Sequence, residues 1–176
     1  MAVHIIIDGY NFIRQAMSFR FLQSRDLRQE RDLLVDSLVR FKRGRSHGVT
    51  VVFDGTRAPF DLPRKQVQQG VEVVFSPAGQ TADATIKQMA AREREKALVV
   101  TSDREISDFV LRRGAAVIGS ADFERLLSTA WSRNGGEPSA DETDDDAGWP
   151  GTTRKRGPSF RLSRKERHLK NRLNKL

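Results

Sequence analysis

The sequence has no cysteine and no long hydrophobic run. Without thiols the chain can form neither disulfides nor thiolate metal sites, and a reducing cytoplasm suits this composition. Residues 3–7 are apolar, but Asp8 follows at once, so we expect neither a secretory signal nor a membrane span of about 20 apolar residues. The histidines, His4, His47 and His168, lack the spacing of a zinc site or a catalytic triad. We therefore expect a cytoplasmic protein with oxygen-based chemistry and no membrane partner.

Most of the chain also has little net charge. The formal charge is +8, but residues 154–176 hold ten Lys or Arg and one acid, which leaves −1 for the first 153 residues. Hydrophobic residues make up 38% and charged residues 31% of the sequence, which suits a modest globular core beside polar, unpacked stretches. The basic character therefore belongs to the C-terminal segment, where it points to a nucleic-acid partner.

Short apolar runs rich in Val and Ile predict buried strands. They cover residues 3–7, 49–53, 71–75, 97–101 and 115–118, and none alternates with polar residues. Continuous apolar runs are typical of strands covered on both faces in a parallel sheet. Helical patterns lie between them, so the sequence predicts βαβ units and a layered α/β fold. Each predicted helix has a candidate N-cap. Asp26 is the candidate for a helix that reaches about Arg45 and has Leu27 on its apolar face. The candidates for the later helices are Thr81, Ser102, which forms a capping box with Glu105, and Ser120.

The composition changes after Trp131. Residues 132–160 are rich in Gly, Pro, Ser and acids, with an acidic run at 141–146. Such a segment buries too little apolar surface to offset its ordering entropy, so we expect a disordered acidic linker. Residues 161–176 place four leucines on one helical face among Arg and Lys, which predicts a basic tail that folds on a partner. Residues 1–131 are then the folded domain.

Four acids follow the predicted strands. Asp8 and Asp54 come directly after the first and second strands, Asp103 lies two residues beyond the fourth, and Asp83 lies in the first turn of a predicted helix. Because the carboxyl ends of parallel strands share one edge of a sheet, these acids are expected to converge on one crevice. Crowded carboxylates with no lysine or histidine nearby need a cation, and oxygen ligands favour Mg²⁺ or Mn²⁺ over zinc. Such a site suits hydrolysis of a phosphodiester.

Each acid also has a structural interpretation. Asp83 and Asp103 fit the first turn of a helix, where a carboxylate stabilises the helix dipole, and Asp8 and Asp54 each precede a glycine, as in ordinary turns. The coincidence of all four at strand ends favours catalysis. Asp108 we interpret as a solvated helix residue.

Asn11 has two interpretations of its own. It either caps the next helix or uses its amide to hold a metal-bound water or a phosphate oxygen. Ser102 and Thr81 carry the same ambiguity, and for both of them helix capping is the preferred interpretation. Asp8, Asp83 and Asp103 form the predicted catalytic set, for which Asn11 is a further candidate, and Asp54 joins the three acids as a predicted metal ligand.

The sequence resembles the YacP-like branch of the NYN domain family, in the PIN-like nuclease superfamily. The resemblance rests on residues 5–11 (Ile-Ile-Ile-Asp-Gly-Tyr-Asn), 51–55, 81–83, 100–104 and 113–115 in this order. It implies a PIN-like three-layer α/β/α sandwich with a mainly parallel central sheet. It also implies Mg²⁺- or Mn²⁺-dependent endoribonuclease activity.

The resemblance further assigns roles to single residues. It implies that Asp8, Asp83 and Asp103 hold metal and that Asn11 lines the site. The branch includes a ribosome-associated nuclease that cuts mRNA, so the ribosome is an expected partner beside RNA. Related helices often carry further acids beside the position of Asp83, whereas this chain has Ala84 and Lys87 there.

Basic and aromatic side chains near the predicted pocket are candidates for RNA contacts, because an acidic pocket needs basic surroundings to attract a polyanion. Phe60 is a candidate for stacking on a base, or else it is buried. The candidate RNA-binding residues are Arg14, Arg57, Arg64, Lys65 and Arg104 around the pocket, and Arg154, Lys155, Arg156, Arg164 and Lys165 in the tail.

Two other functions compete with the nuclease. One is an RNA- or ribosome-binding module with a silent acidic pocket, although retention of all four catalytic candidates favours the enzyme. The other is a small-molecule phosphatase of the HAD type, which requires Asp-x-Asp after the first strand, where this chain has Tyr10 at the second position. A phosphate loop of the P-loop kind is also missing.

Overall fold

A computed structural model describes residues 3–16, 26–57 and 63–133 of the chain. Strands and helices alternate along these ranges. The strands are β1 (His4–Asp8), β2 (Gly48–Phe53), β3 (Lys65–Gln68), β4 (Val71–Phe75), β5 (Ala97–Val100) and β6 (Ala116–Ile118). The helices are α1 (Gly9–Gln15), α2 (Leu27–Lys42), α3 (Ala82–Glu93), α4 (Arg104–Arg112) and α5 (Ser120–Arg133), with short 3-10 turns at Gly55–Arg57 and Arg94–Lys96.

The strands form one sheet in the order β3-β4-β2-β1-β5-β6. Neighbouring strands are parallel throughout except for β3, which pairs with β4 in the antiparallel direction. The central strand β1 is covered on both faces, and Ile5, Ile6 and Ile7 are all fully buried. This burial explains its unbroken apolar run, because alternation is needed only where one face meets water. The predicted α/β fold with a mainly parallel sheet is confirmed.

Helices cover both faces of the sheet. Ile5 and Ile7 point into a core that includes Phe12 of α1, Leu34 of α2 and Phe123 of α5. Ile6 points the other way, into a second core formed with α3 and α4. Since successive strand residues face opposite sides, one isoleucine run supplies both cores. The result is three layers with the sheet in the middle.

The helix caps are partly as predicted. Asp26 accepts from the N–H of Arg28 and Thr81 from that of Ala84, so both predicted caps are confirmed. The predicted capping box of Ser102 is wrong, because Asp103 caps α4 instead. Helix α5 begins at Ser120 itself, one position earlier than a capping Ser120 requires. Helix α2 ends at Lys42, short of Arg45, and Leu27 is 39% exposed and therefore lies off the core.

Strand β3 was not predicted from the sequence, and it begins at Lys65, one of the candidate RNA-binding residues. Its sequence, Lys-Gln-Val-Gln, has no apolar run, and Val67 is 67% exposed. A tight turn at Gln69 and Gly70, both with positive φ, returns the chain into β4. The strand is therefore specified by its pairing with β4 at the edge of the sheet.

The predicted linker and tail lie outside the described residues, apart from residues 132 and 133, which belong to α5. That helix therefore continues beyond Trp131, where the folded domain was expected to end. In the described part of the chain, no helix is both long and apolar enough to cross a membrane.

Candidate active site

The predicted acids lie at the carboxyl edge of the sheet. Asp8 is the last residue of β1, which lies between β2 and β5. Asp54 follows β2, Asp103 follows β5 as the N-cap of α4, and Asp83 lies in the first turn of α3. The parallel order of these strands places their carboxyl ends side by side, as the sequence predicted.

Asp8 is the most buried of these acids, with 7% of its surface exposed. Its Oδ1 accepts from the backbone N–H of Asn11 at 3.3 Å, so Asp8 caps α1, and its Oδ2 lies 3.5 Å from the hydroxyl of Thr101. Burial, and the charges of Asp83 and Asp103, raise the pKa of Asp8 to about 6, against the lowering effect of the two hydrogen bonds. A carboxylate in this position is short of positive charge.

Gly9 is needed because of this packing. Helix α1 starts at Gly9, so Asp8-Gly9 is not the turn that one structural interpretation proposed. A Cβ on Gly9 would lie 2.3 Å from the ring of Phe53. Glycine therefore lets the helix start against β2 and keeps the Asp8 carboxylate at the strand end.

The charges of Asp83 and Asp103 raise the pKa of Asp8, and the charge of Asp103 also raises the pKa of Asp83. The pKa of Asp83 is raised, first by burial and then by the charge of Asp103, with a smaller contribution from Glu105. Lys87 opposes this rise, which corrects the expectation that no lysine lies nearby. The Lys87 ammonium also pairs with Glu105 at 2.5 Å, so its charge is shared between two acids. The cluster retains excess negative charge, and Glu105 is an acid that sequence reasoning missed.

Thr101 is a second residue that sequence reasoning missed. It is 1% exposed, and its hydroxyl lies within 3.5 Å of Asp8 Oδ2 and accepts from the N–H of Asp103 at 3.1 Å. One hydroxyl therefore fixes the positions of two candidate ligands. The signal in the sequence was a threonine directly after a buried strand and two residues before an acid.

Asn11 lies inside α1, so it does not cap that helix. Its Oδ1 accepts from the N–H of Ser102 at 3.0 Å and from the hydroxyl of Ser120 at 3.3 Å. The N–H of Ser120 in turn lies 3.3 Å from Ser102 Oγ. These bonds join the ends of β1, β5 and β6. They orient the amide, and Nδ2 makes no hydrogen bond to the part of the chain that the structure describes.

Asp54 is held by its own turn. Its Oδ1 accepts from the N–H of Thr56 at 2.9 Å and from the Thr56 hydroxyl at 2.6 Å. Gly55 packs so closely on the carbonyl oxygen of Ser76 that a Cβ would lie 2.1 Å from it. The two hydrogen bonds from Thr56 give Asp54 a structural role in this turn. Asp108 is exposed on α4, as interpreted from the sequence.

The predicted RNA-binding residues differ in exposure, in pairing and in whether the structure describes them. Arg14, Arg64 and Arg104 are exposed, and Arg104 begins α4 directly after Asp103. Lys65 also is exposed, but its ammonium pairs with Glu72. The backbone of Arg57 ends the 3-10 turn after Asp54. Phe60 and the basic residues of the tail, Arg154, Lys155, Arg156, Arg164 and Lys165, lie outside the described residues.

The acids have the donor chemistry for Mg²⁺ or Mn²⁺. Neighbouring negative charges contribute to the raised pKa of Asp8 and of Asp83, and a divalent cation would relieve this repulsion. Within residues 3–16, 26–57 and 63–133, no three acidic or histidine side chains are close enough to surround a metal ion. Mg²⁺ usually takes only one or two carboxylates directly and keeps several waters, so the donor set fits this type of ion.

Comparison with known proteins connects this geometry to a family. A model of the YacP-like NYN domain matches residues 5–148. The uncharacterized protein YacP from Bacillus subtilis (strain 168) is 30% identical over 128 residues, which cover 71% of this chain and 75% of the relative.

Solved structures show the same fold. A crystal structure of Rae1 (YacP) from Bacillus subtilis matches with a TM-score of 0.64 and 27% identity, covering 76% of this chain and 78% of that one. A mutant of the same protein matches with a TM-score of 0.63 and 24% identity, covering 74% and 78%. The PIN-like fold expected from the sequence motifs is confirmed.

Proposed function

Because the chain belongs to the YacP-like NYN domain family, whose fold is that of PIN-like nucleases, we propose that it is a divalent-metal-dependent endoribonuclease. It hydrolyses RNA phosphodiester bonds in the cytoplasm. The observation that carries this proposal is Asp8, a buried carboxylate whose pKa is raised to about 6 by burial and by two neighbouring acids. Perturbed acids at a strand edge are typical of functional sites.

Asp8, Asp83 and Asp103 are the residues that hold Mg²⁺ or Mn²⁺ in this proposal. When bound, such an ion lowers the pKa of the attacking water and offsets the charge of the phosphate. Thr101 keeps the Asp8 carboxylate and the Asp103 backbone in a fixed relation, which limits the rearrangement needed on binding. Asp54, bonded to Thr56, is an additional ligand.

Asn11 binds the substrate. Its Oδ1 is engaged by Ser102 and Ser120, so the amide plane is fixed and Nδ2 is left to donate to a phosphate oxygen. Because the amide is neutral, it can donate a hydrogen bond to the phosphate without competing for the metal ion. This role needs the serines at the ends of β5 and β6 as much as it needs Asn11.

The remaining basic residues attract RNA to the acidic pocket. Arg14, Arg64 and Arg104 are exposed on the domain, and residues 154–176 hold ten Lys or Arg and one acid, which gives this segment a net charge of +9. This basic tail contacts RNA or the ribosome, and residues 134–153 link it to the nuclease domain. Since each neutralised phosphate releases counterions, binding through the tail should weaken steeply with salt.

The test is RNA cleavage by the full chain with Mg²⁺, Mn²⁺ or a chelator. Asp8→Asn and Asp103→Asn should each lower the cleavage rate by more than the roughly 10- to 100-fold that loss of an outer-shell group costs. Asparagine caps helices about as well as aspartate, so both variants should keep the fold. Asp108→Asn, an exposed acid on the same helix as Asp103, is the matched control and should cleave like wild type.

The opposite result is also informative. If wild type binds RNA with every metal but never cleaves it, the chain is an RNA- or ribosome-binding module with a silent pocket. If cleavage persists in both variants, the acids at this edge are not the active site.

A further inference from the structure

Arg31 is a buried cation in the first turns of α2. It is 5% exposed, whereas arginine is almost never buried without a charged partner. Its Nη1 donates to the hydroxyl of Tyr10 at 3.3 Å, and its guanidinium lies 5.6 Å from the centre of the Phe75 ring. These contacts hold the group in one orientation against aromatic surfaces.

Within the described residues, no carboxylate neutralises this arginine. Of the residues the structure describes, none places an acid oxygen within 4.0 Å of the Arg31 guanidinium. A tyrosine hydroxyl and a phenyl face offer no negative charge, so a full positive charge is left with little solvent around it. An unpaired buried charge costs stability, and its presence calls for a partner that the described part of the chain does not supply.

The free nitrogens of Arg31 can be reached from solvent. Among the described residues, one side-chain nitrogen or oxygen is both buried from solvent and without a hydrogen bond. This atom is Nε2 of His47, so no nitrogen of Arg31 is in that state. The guanidinium nitrogens that do not bond to Tyr10 are therefore not fully sealed from solvent, although the side chain as a whole is buried. A guanidinium presents five N–H groups in a planar fork that matches a phosphate, and the Tyr10 bond uses one of them.

The position of Arg31 is at the same edge of the sheet as the acids. Tyr10 lies two residues after Asp8, and Phe75 is the last residue of β4. Tyr10 and Phe53 contact edge to face at 5.1 Å, and Phe53 stacks on Phe75 at 5.8 Å. This aromatic group continues from the acidic cluster along the ends of β2 and β4.

Arg31 is nevertheless not the counterion of the acids. The pKa of Asp8 is governed by burial, by hydrogen bonds and by two other acids, and the cation that acts on Asp83 is Lys87. The positive charge of Arg31 is thus left for a ligand that lies beside the metal-binding acids.

From this arrangement we propose that Arg31 binds a backbone phosphate of the RNA at a subsite next to the scissile bond. The proposal rests on the nuclease function for its substrate, and it adds an RNA-binding residue that lies outside the sequence motifs quoted for the resemblance. Tyr10 and Phe75 fix the guanidinium before RNA arrives, so little side-chain entropy is lost on binding.

The test measures binding of a fluorescent unstructured RNA oligonucleotide to the full chain, in an Asp8→Asn background that prevents cleavage. Arg31→Met should weaken binding by roughly 10- to 100-fold, as expected for a hydrogen bond to a charged group. It should also lower the slope of log affinity against log salt by about 0.7, the value for one phosphate on a single strand. Arg31→Lys should recover only part of the affinity, because lysine lacks the planar fork.

The matched control is Arg43→Met. Arg43 is exposed at the other end of α2, and its substitution removes the same charge far from the site. It should leave affinity within about twofold. Thermal unfolding separates the subsite from a packing role, since replacing an unpaired buried charge by methionine should not lower stability.

Equal affinity and equal salt slope in Arg31→Met and Arg43→Met would overturn the subsite, as would a loss of stability with unchanged binding. Neither result contradicts the nuclease proposal, which depends on cleavage by the chain with Asp8 intact. Conversely, an Arg31-dependent salt slope in a chain that never cleaves RNA would keep the phosphate site and end the nuclease proposal.

Discussion

Two groups of polar side chains lie on the central sheet, and they differ in whether positive charges or hydrogen-bond donors balance their acids. One is the acidic cluster of Asp8, Asp83 and Asp103 at the carboxyl edge. The other, which we call the cross-sheet network, runs from Lys65 through Glu72, Thr50 and His4 to Glu93.

In the cross-sheet network each acid has a partner of opposite charge or a donor. Glu72 pairs with Lys65 and accepts from the Thr50 hydroxyl at 2.9 Å, and His4 lies 2.6 Å from Glu93 and 2.7 Å from Thr50. Burial alone would raise the pKa of Glu72, but the hydrogen bonds from Lys65 and Thr50 together lower it.

The acidic cluster has the opposite electrostatics. Burial raises the pKa of Asp8 and Asp83, and the neighbouring acids raise both further. Partly buried carboxylates are therefore found in both places, and only those at the carboxyl edge are left short of positive charge. The comparison indicates that a cluster of acids short of positive charge, rather than a buried acid as such, marks the site where a cation and a phosphate are expected to bind.

The largest expected effect is on the pH dependence of stability in Asp8→Asn. Because the folded pKa of about 6 exceeds the ordinary 3.8, ionisation of Asp8 costs stability as pH rises from about 4 to above 6. Asparagine avoids this cost, so the variant should gain up to about 3 kcal/mol over wild type at pH 7 and almost none at pH 4. Urea unfolding with a chelator at both pH values measures this gain. The same difference at both pH values would contradict it.

A smaller effect is expected when the hydroxyl between two ligands is removed. Thr101→Val loses the contact with Asp8 and the acceptor for the Asp103 N–H, so cleavage should slow by roughly 10- to 100-fold and require more metal. Thr50→Val is the matched control, a buried threonine of the cross-sheet network, and it should lower stability without changing the metal requirement. If cleavage by the two variants requires the same metal concentration, Thr101 does not belong to the site.

The smallest effect is expected from Glu72→Gln. The lowered pKa of Glu72 means that its charge contributes stability above the ordinary pKa of 4.5, and this contribution is lost as pH falls through the folded pKa. The variant should therefore be less stable than wild type at pH 7, by about 1 kcal/mol, and equal to it at low pH. This pH dependence is opposite to that of Asp8→Asn. A gain in stability at neutral pH would show that Glu72 is as unbalanced as Asp8.

Local patterns were sufficient for much of the fold. The apolar runs predicted five of the six described strands, because strands covered on both faces need no polar positions. Strand β3 was missed since its residues are polar and its identity depends on pairing with β4. The capping position of Asp103 was missed for a related reason, since Ser102 and Asp103 are both good caps and the hydroxyl of Thr101 favours the second.

The candidate site was predictable in outline. Asp8, Asp83 and Asp103 were found because each follows a strand or starts a helix at one edge of a parallel sheet. Thr101, Ser120, Glu105 and the effect of Lys87 were not found, because their roles depend on side-chain distances between elements far apart in the chain. Arg31 looked like any helical arginine until its burial was known.

The order of residues alone determined that acidic side chains gather at the carboxyl edge of a parallel sheet, since strand direction and chain position fix where each acid falls. Tertiary structure decided which charges are balanced. The same carboxylate is stabilised beside Lys65 and destabilised beside Asp103, because Coulomb interactions act over a few ångströms and depend on which side chains folding brings together.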